Sequence, residues 1–137
     1  MSPQLDARKR YLANSSATAS PGQLVVMLYD GLVRDLAQAE QGMLDGEFHV
    51  SNERLIHAQQ IVLELFASLE RDAWEGGPGL AKIYLFLTTE LVNANVTRDV
   101  NKIRACRALV EPLRDAWQSA LDAITGVVRP PAVGNVA

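Results

Sequence analysis

Between Thr18 and Leu36 the chain reads TASPGQLVVMLYDGLVRDL, and this stretch constrains the fold more than any other. Ser20 followed by Pro21 marks a helix start. A serine side chain accepts from the free N–H groups of a first turn, and proline suits the first helical position, where an N–H would have no partner anyway. Six apolar or aromatic residues then follow without a break, Leu24 to Tyr29. At about 100° per residue the apolar arc covers roughly half the helix circumference, interrupted only by Asp35 and Glu40. A surface helix needs one inward stripe. This one must be covered on a wider front, by its own fold or by another chain.

Helical spacing recurs three more times. The first helix runs to about Leu44, where Gly42 and Asp45-Gly46 end it. Ser51 or Asn52 caps a second helix that runs to about Ala73, and Gly76-Gly77-Pro78-Gly79 breaks the chain. A third helix covers about Leu80 to Val96. Thr97 caps a fourth, with Asp99 in its first turn, which reaches Thr125 before Gly126. Pro112 falls inside this last helix and predicts a bend near Ala108, because it removes one backbone hydrogen bond. Apolar spacing continues through it, so it is one helix. Short connections between long helices favour antiparallel neighbours. The predicted fold is therefore all-α, an antiparallel four-helix bundle over residues 18–125. A polar N-terminal arm or short helix (1–17) precedes it, and a disordered tail (126–137) with Pro130-Pro131 follows.

The apolar inventory exceeds what such a bundle needs. The fourth helix has a single stripe, from Ile103, Cys106, Leu109 and Val110 through Leu113, Trp117, Ala120 and Leu121 to Ile124. The second has a core stripe (Leu55, Ala58, Ile61, Val62, Leu65, Phe66, Leu69) and also another, Ile56, Leu63 and Ala67. The third packs Leu80, Ile83, Tyr84, Leu87, Leu91 and Ala94 inward. It then repeats the excess with Ala81, Leu85, Val92 and Val96 on the opposite side. Single surface leucines mean little, but several at helical spacing on consecutive helices mark an interaction site. Ile56, Leu63, Ala67, Leu85, Val92 and Val96 are thus the candidate partner groove, suited to an amphipathic helix.

Other classes find little support. A net charge of -3 and one short basic run, Arg8-Lys9-Arg10, predict no nucleic-acid binding. A lone cysteine, Cys106, excludes an intrachain disulfide and fits a reducing compartment. Without a signal-peptide pattern or a span of transmembrane length, the expectation is a cytosolic protein with no direct membrane insertion. No catalytic, metal or cofactor site is predicted. A di-metal bundle needs several Glu-x-x-His pairs, whereas this chain has two histidines and His49 sits in a loop. His57 reads as a surface histidine on the polar side of the second helix. The rival function is a helical phosphotransfer or signalling module using His57, but Ala58-Gln59-Gln60-Ile61 follows it where a basic and a small residue belong. The Gly76–Gly79 run lacks the Lys-Ser/Thr of a phosphate loop. Cys106 reads as a small core residue. Tyr29 belongs to the core or to the groove, the two readings being equal. Asn93 and Asn95 bond partner backbone or cap a helix, with capping favoured. Trp74 and Trp117 read as packing residues.

Thr18-Ala19-Ser20-Pro21, Leu24, Met27-Leu28-Tyr29 and Gly31, preceded by Tyr11, resemble the TASP-x-x-L-x-x-MLY-x-G signature of the flagellar export chaperone FliS family. Ala58-Gln59-x-Ile61, Glu64-Leu65-x-x-Ser68-Leu69, Gly76-Gly77, Ala94-Asn95 with Asp99, and Leu113-Arg114-x-Ala116-Trp117 extend the resemblance in order over about residues 7–121. The third helix departs from the family, with Leu85-Phe86-Leu87-Thr88-Thr89 in place of a Leu-Tyr-Asp-Tyr run, and Pro112 is unusual. The resemblance implies a non-enzymatic bundle that binds the C-terminal segment of flagellin, disordered as a monomer. It would block premature polymerisation and pass its client to a component of the flagellar export gate. It also implies that the N-terminal arm, here Tyr11 and Leu12, lies over part of the apolar surface until the client displaces it. The same surface would allow a homodimer when no client is bound.

Overall fold

A computed structural model describes residues 19–126. The expectations for the arm, including Tyr11 and Leu12, and for the tail beyond Gly126 lie outside the described residues. The rest forms α1 (Pro21–Leu44), α2 (Phe48–Ser68), α3 (Gly77–Thr97) and α4 (Val100–Thr125). The Ser20 side chain accepts from the Gln23 N–H while the Gln23 side chain accepts from the Ser20 N–H, so two first-turn donors are satisfied reciprocally.

Each helix packs on two neighbours, α1 on α2 and α4, α3 on α2 and α4. Cross-contacts show that neighbours run antiparallel. Along α1 and α4, Gly22 lies beside Leu121, Asp30 pairs with Arg114 and Glu40 with Arg104 and Arg107. The core is a column of fully enclosed side chains: Tyr29, Leu32 and Leu36 from α1, Leu55 and Val62 from α2, Tyr84, Leu87 and Leu91 from α3, and Ile103, Cys106 and Val110 from α4. Each such aliphatic side chain stabilises the fold by about 1.5–3 kcal/mol relative to exposure.

Five details at the helix ends differ from the sequence reading. Gly42 does not end α1 but sits buried within it, since a Cβ there would stand 3.0 Å from the Ser51 nitrogen and 3.2 Å from the Glu47 oxygen. Neither Ser51 nor Asn52 caps α2. The helix begins at Phe48 after Glu47, and the buried Ser51 hydroxyl donates to the Phe48 carbonyl. α2 also stops at Ser68, where Leu69 turns to extended backbone, rather than at Ala73. α3 starts at Gly77, whose Cβ position would collide with the Arg71 carbonyl at 2.1 Å, so the connection holds only with glycine there. At the last junction Asp99 rather than Thr97 is the N-cap, accepting from the Asn101 N–H. Thr97 instead donates to the Asn93 carbonyl, and Arg98 closes α3 in the left-handed region at φ 51°. α4 is continuous through Pro112.

Candidate functional site

Among the described residues, ion pairs bridge three of the four seams between adjacent helices. Arg54 of α2 meets the buried Asp35 of α1, Arg104 and Arg107 meet Glu40, Arg114 meets Asp30, and Lys102 meets Glu90. Across the fourth seam, α2 against α3, the side-chain bond is neutral: Asn95 Nδ2 donates to Asn52 Oδ1 at 2.7 Å. That bond sets the register. Four residues along α2 and three back along α3 bring Ile56 level with Val92. Two turns farther, Leu63 comes level with Leu85. All four are exposed, as are Ala67 and Val96, which is 77% accessible. Phe86, which the sequence reading did not assign, is exposed on α3 as well. The apolar residues singled out on these two helices thus form paired rungs beside a seam that no ion pair bridges among the described residues. Ala81 does not join them, being buried at the start of α3.

The sequence stripes fail at one end of the bundle. Of the nine residues assigned to the core face of α4, Ile103, Cys106 and Val110 are enclosed, while Leu109 and Ala120 are exposed and Ile124 is 84% accessible. α3 begins only at Gly77, so the last turns of α4 run past its start. An apolar groove of 480 Å³ opens there, lined by Trp74, Leu80, Leu113, Ala116, Trp117 and Ala120. A smaller cavity of 230 Å³ adjoins it through Trp74 and Trp117 and reaches Val25, Leu65 and Tyr84. Sequence reasoning missed this groove. The available signal was Trp74, an aromatic residue beside a loop with no stripe of its own.

Tyr29 is core, which settles the two readings left open. Its hydroxyl and that of Tyr84 are 2.6 Å apart beneath the cavity. Burial raises both phenols above their ordinary values. For Tyr29 the Tyr84 hydroxyl and Trp117 act against that rise, and for Tyr84 the contact with Tyr29 adds to it. Asn95 does not cap its helix but pairs with Asn52, and Asn93 is exposed. His57 is not a detached surface histidine: its Nδ1 is hydrogen-bonded to the Asp35 carboxylate, which also takes Arg54 at 3.4 Å. The ring therefore helps tie α2 to α1. Burial pushes the Cys106 thiol up to about 11, the opposite of what a nucleophile needs. No group of side chains with metal-ligand potential occurs among the described residues, and no described helix is long and apolar enough to cross a membrane.

The arrangement offers surface rather than reactive groups, and the known proteins it resembles agree. A family model described as flagellar protein FliS matches residues 4–123. The flagellar secretion chaperone FliS of Bacillus subtilis is 34% identical over 111 residues, covering 81% of this chain and 83% of that protein. That of Vibrio cholerae is 28% identical over 119 residues, covering 85% and 88%. In fold, a crystal structure of a bacterial flagellar chaperone matches with a TM-score of 0.70 at 23% identity, covering 88% of this chain and 99% of the other. The chain belongs to the FliS family, whose named relatives are flagellar secretion chaperones and not enzymes.

Proposed function

We propose that this flagellar secretion chaperone works in the bacterial cytoplasm on the C-terminal segment of flagellin. By holding that segment it prevents premature polymerisation and keeps the client competent for export, then delivers it to a component of the export gate. The observation that carries the reading is the α2–α3 seam, where exposed Ile56, Leu63, Ala67, Leu85, Val92 and Val96 flank a boundary bridged, among the described residues, by amides rather than ions. A disordered client that folds as it binds spends part of its interaction free energy on ordering, which suits a chaperone that must release. The N-terminal arm, with Tyr11 and Leu12, covers part of the apolar surface in the free protein. In support, α1 begins at Pro21, at the end of the bundle where Trp74 and Trp117 line the open groove. Without a client, the same seam allows two copies to pair.

Calorimetry with a flagellin C-terminal peptide tests this. Binding at micromolar concentration is expected, and it should drop at least tenfold in Leu63→Glu and Leu85→Glu, with unfolding midpoints unchanged because both residues are exposed. Absence of binding by the parent chain at that concentration refutes the client assignment. Removing residues 1–17 should leave affinity equal or higher, and a large loss would refute the covering role of the arm.

A further inference from the structure

The apolar groove at the Trp74 end of the bundle continues to the end of α4. Its α4 wall is the stripe Leu113, Ala116, Trp117 and Ala120. At the same helical spacing the next member is Ile124, 84% accessible. Two residues later the helix closes at Gly126, in the left-handed region at φ 74° with its N–H on the Asp122 carbonyl. A left-handed residue there turns the chain out of the helix. Residues 127–137, VVRPPAVGNVA, thus start from the lip of the groove.

Their chemistry matches what the groove offers. The segment has no acidic residue and one charge, Arg129. A Pro-Pro pair favours polyproline backbone by local sterics alone, and such segments dock in grooves lined by aromatic rings at little cost in entropy. Trp74 and Trp117 supply the rings. Trp74 is half-exposed yet held by its own loop, since a Cβ on Gly76 would stand 2.1 Å from its indole. Around it the sequence carries Glu70, Asp72 and Glu75 against Arg71, which lies over the Phe66 ring. That leaves an excess of acid for Arg129. The lengths agree as well. Trp117 stands nine residues before Gly126, about 14 Å along a helix. At about 3.1 Å per residue, polyproline backbone covers that distance in about four to five residues, which brings Pro130 and Pro131 level with Trp117.

We propose that residues 127–133 fold back along α4 and seat Pro130-Pro131 against Trp74 and Trp117, so that the groove is filled by the chain's own C-terminal segment. The proposal replaces the expectation of disorder over that stretch and stands apart from the client reading. A weak contact is enough, because a short tether holds the segment at an effective concentration on the order of millimolar. The N-terminal arm starts at the same end of the bundle, but from a different helix. Among the described residues none from α1 lines this groove, whereas Val25 of α1 lines the smaller cavity beside it.

Both tryptophans of the chain line the groove, so intrinsic fluorescence reports on it directly. Pro130→Ser combined with Pro131→Ser should shift the emission to the red and raise quenching by acrylamide, and so should removal of residues 127–137. Unchanged fluorescence in the proline variant overturns the proposal, whatever the truncation does. Placement is read in the full chain labelled with 15N and carrying a nitroxide on Asn135→Cys, the enclosed Cys106 staying unmodified. The indole N–H signals of Trp74 and Trp117 should broaden, while the amides of Asn52 and Val96, at the other end of the bundle, should not. Indole signals left sharp overturn the proposal. So does broadening of a nitroxide-free 15N chain by added nitroxide-bearing chain, which would place a second copy in the groove. Broadening of the two indoles by a nitroxide on Ser2→Cys, with none from Asn135→Cys, would give the groove to the arm instead.

Discussion

Replacing glycine by alanine inside a helix ordinarily stabilises it, by roughly 1 kcal/mol, because the unfolded chain loses freedom and the helix gains a good former. Gly42 and Gly79 both lie within helices of this bundle, yet the substitution should act with opposite signs at the two sites. Around Gly79 nothing stands within 4 Å of the added Cβ, so Gly79→Ala should gain about 0.5 kcal/mol, less than mid-helix because the residue is near the start of α3. At Gly42 the Cβ would meet the Ser51 nitrogen at 3.0 Å, the Glu47 oxygen at 3.2 Å and the Val50 Cβ at 3.4 Å. Two of these are backbone atoms and cannot rotate away. They are also tied down, since the Glu47 N–H donates to the Gly42 carbonyl at 2.7 Å and the Ser51 N–H to the Glu47 carbonyl at 3.3 Å. Relief requires α2 to shift off α1, which disturbs the buried Ser51 and the packing of Leu55 beyond it. Overpacking of this kind costs about 1–3 kcal/mol. Set against the propensity gain, the net for Gly42→Ala is a loss of about 1 kcal/mol. At a urea m-value of about 1.5 kcal/mol/M the unfolding midpoint falls by about 0.7 M, while Gly79→Ala raises it by about 0.3 M. Equilibrium urea unfolding followed by circular dichroism measures both. A rise in the Gly42→Ala midpoint comparable to that of Gly79→Ala would show that the α1–α2 corner yields freely and would refute the close-packing argument.

The Tyr29–Tyr84 hydroxyl pair should show strong coupling: either phenylalanine substitution alone strands a buried hydroxyl and costs about 1–2 kcal/mol, and the double substitution costs less than the sum; simple additivity in a double-mutant cycle would deny the bond. Burial disfavours ionisation of Glu40, yet hydrogen bonds and charge from Arg107 and Arg104 outweigh it and hold the carboxyl below its usual range. Its unfolded form therefore binds protons first as pH falls, so the stabilisation is present above the ordinary glutamate value and is lost as pH drops through the lowered one. Glu40→Gln should accordingly flatten the acid limb of the stability curve below about pH 4.5, and an unaltered slope in acid titration would contradict this. Cys106 is enclosed and its thiol is raised to about 11, so a thiol reagent should modify it only as fast as the chain opens; immediate labelling of the native protein would count against its enclosure.

How far the chain could be read in advance depended on where each residue lies along its helix. Ser20-Pro21 gave the start of α1 because capping is local chemistry, complete within four residues. The rungs Ile56, Leu63, Leu85 and Val92 were legible as an apolar surplus, since periodicity alone separates two stripes on one helix. What periodicity cannot supply is which neighbour ends where. The stripe of α4 was sound as a stripe, yet past Val110 it approaches and then outruns the start of α3 at Gly77, and a core face becomes a groove lined by Leu113 and Trp117. Asp35 and His57 were likewise read as an interruption and a surface group, because a hydrogen bond between helices exists only once their register is fixed. The same limit hid the most discriminating feature of the surface. Charges at Asp30, Glu40, Arg54, Lys102, Arg104 and Arg114 are scattered in sequence, but folding sorts them onto three seams and leaves amides and aliphatic side chains on the fourth. Surface ion pairs stabilise little, about 0–1 kcal/mol each, so their sorting is poorly explained by stability alone. The proposed client reading accounts for it: an apolar client would be excluded from seams where it strands paired charges and admitted where aliphatic groups and an amide pair lose water.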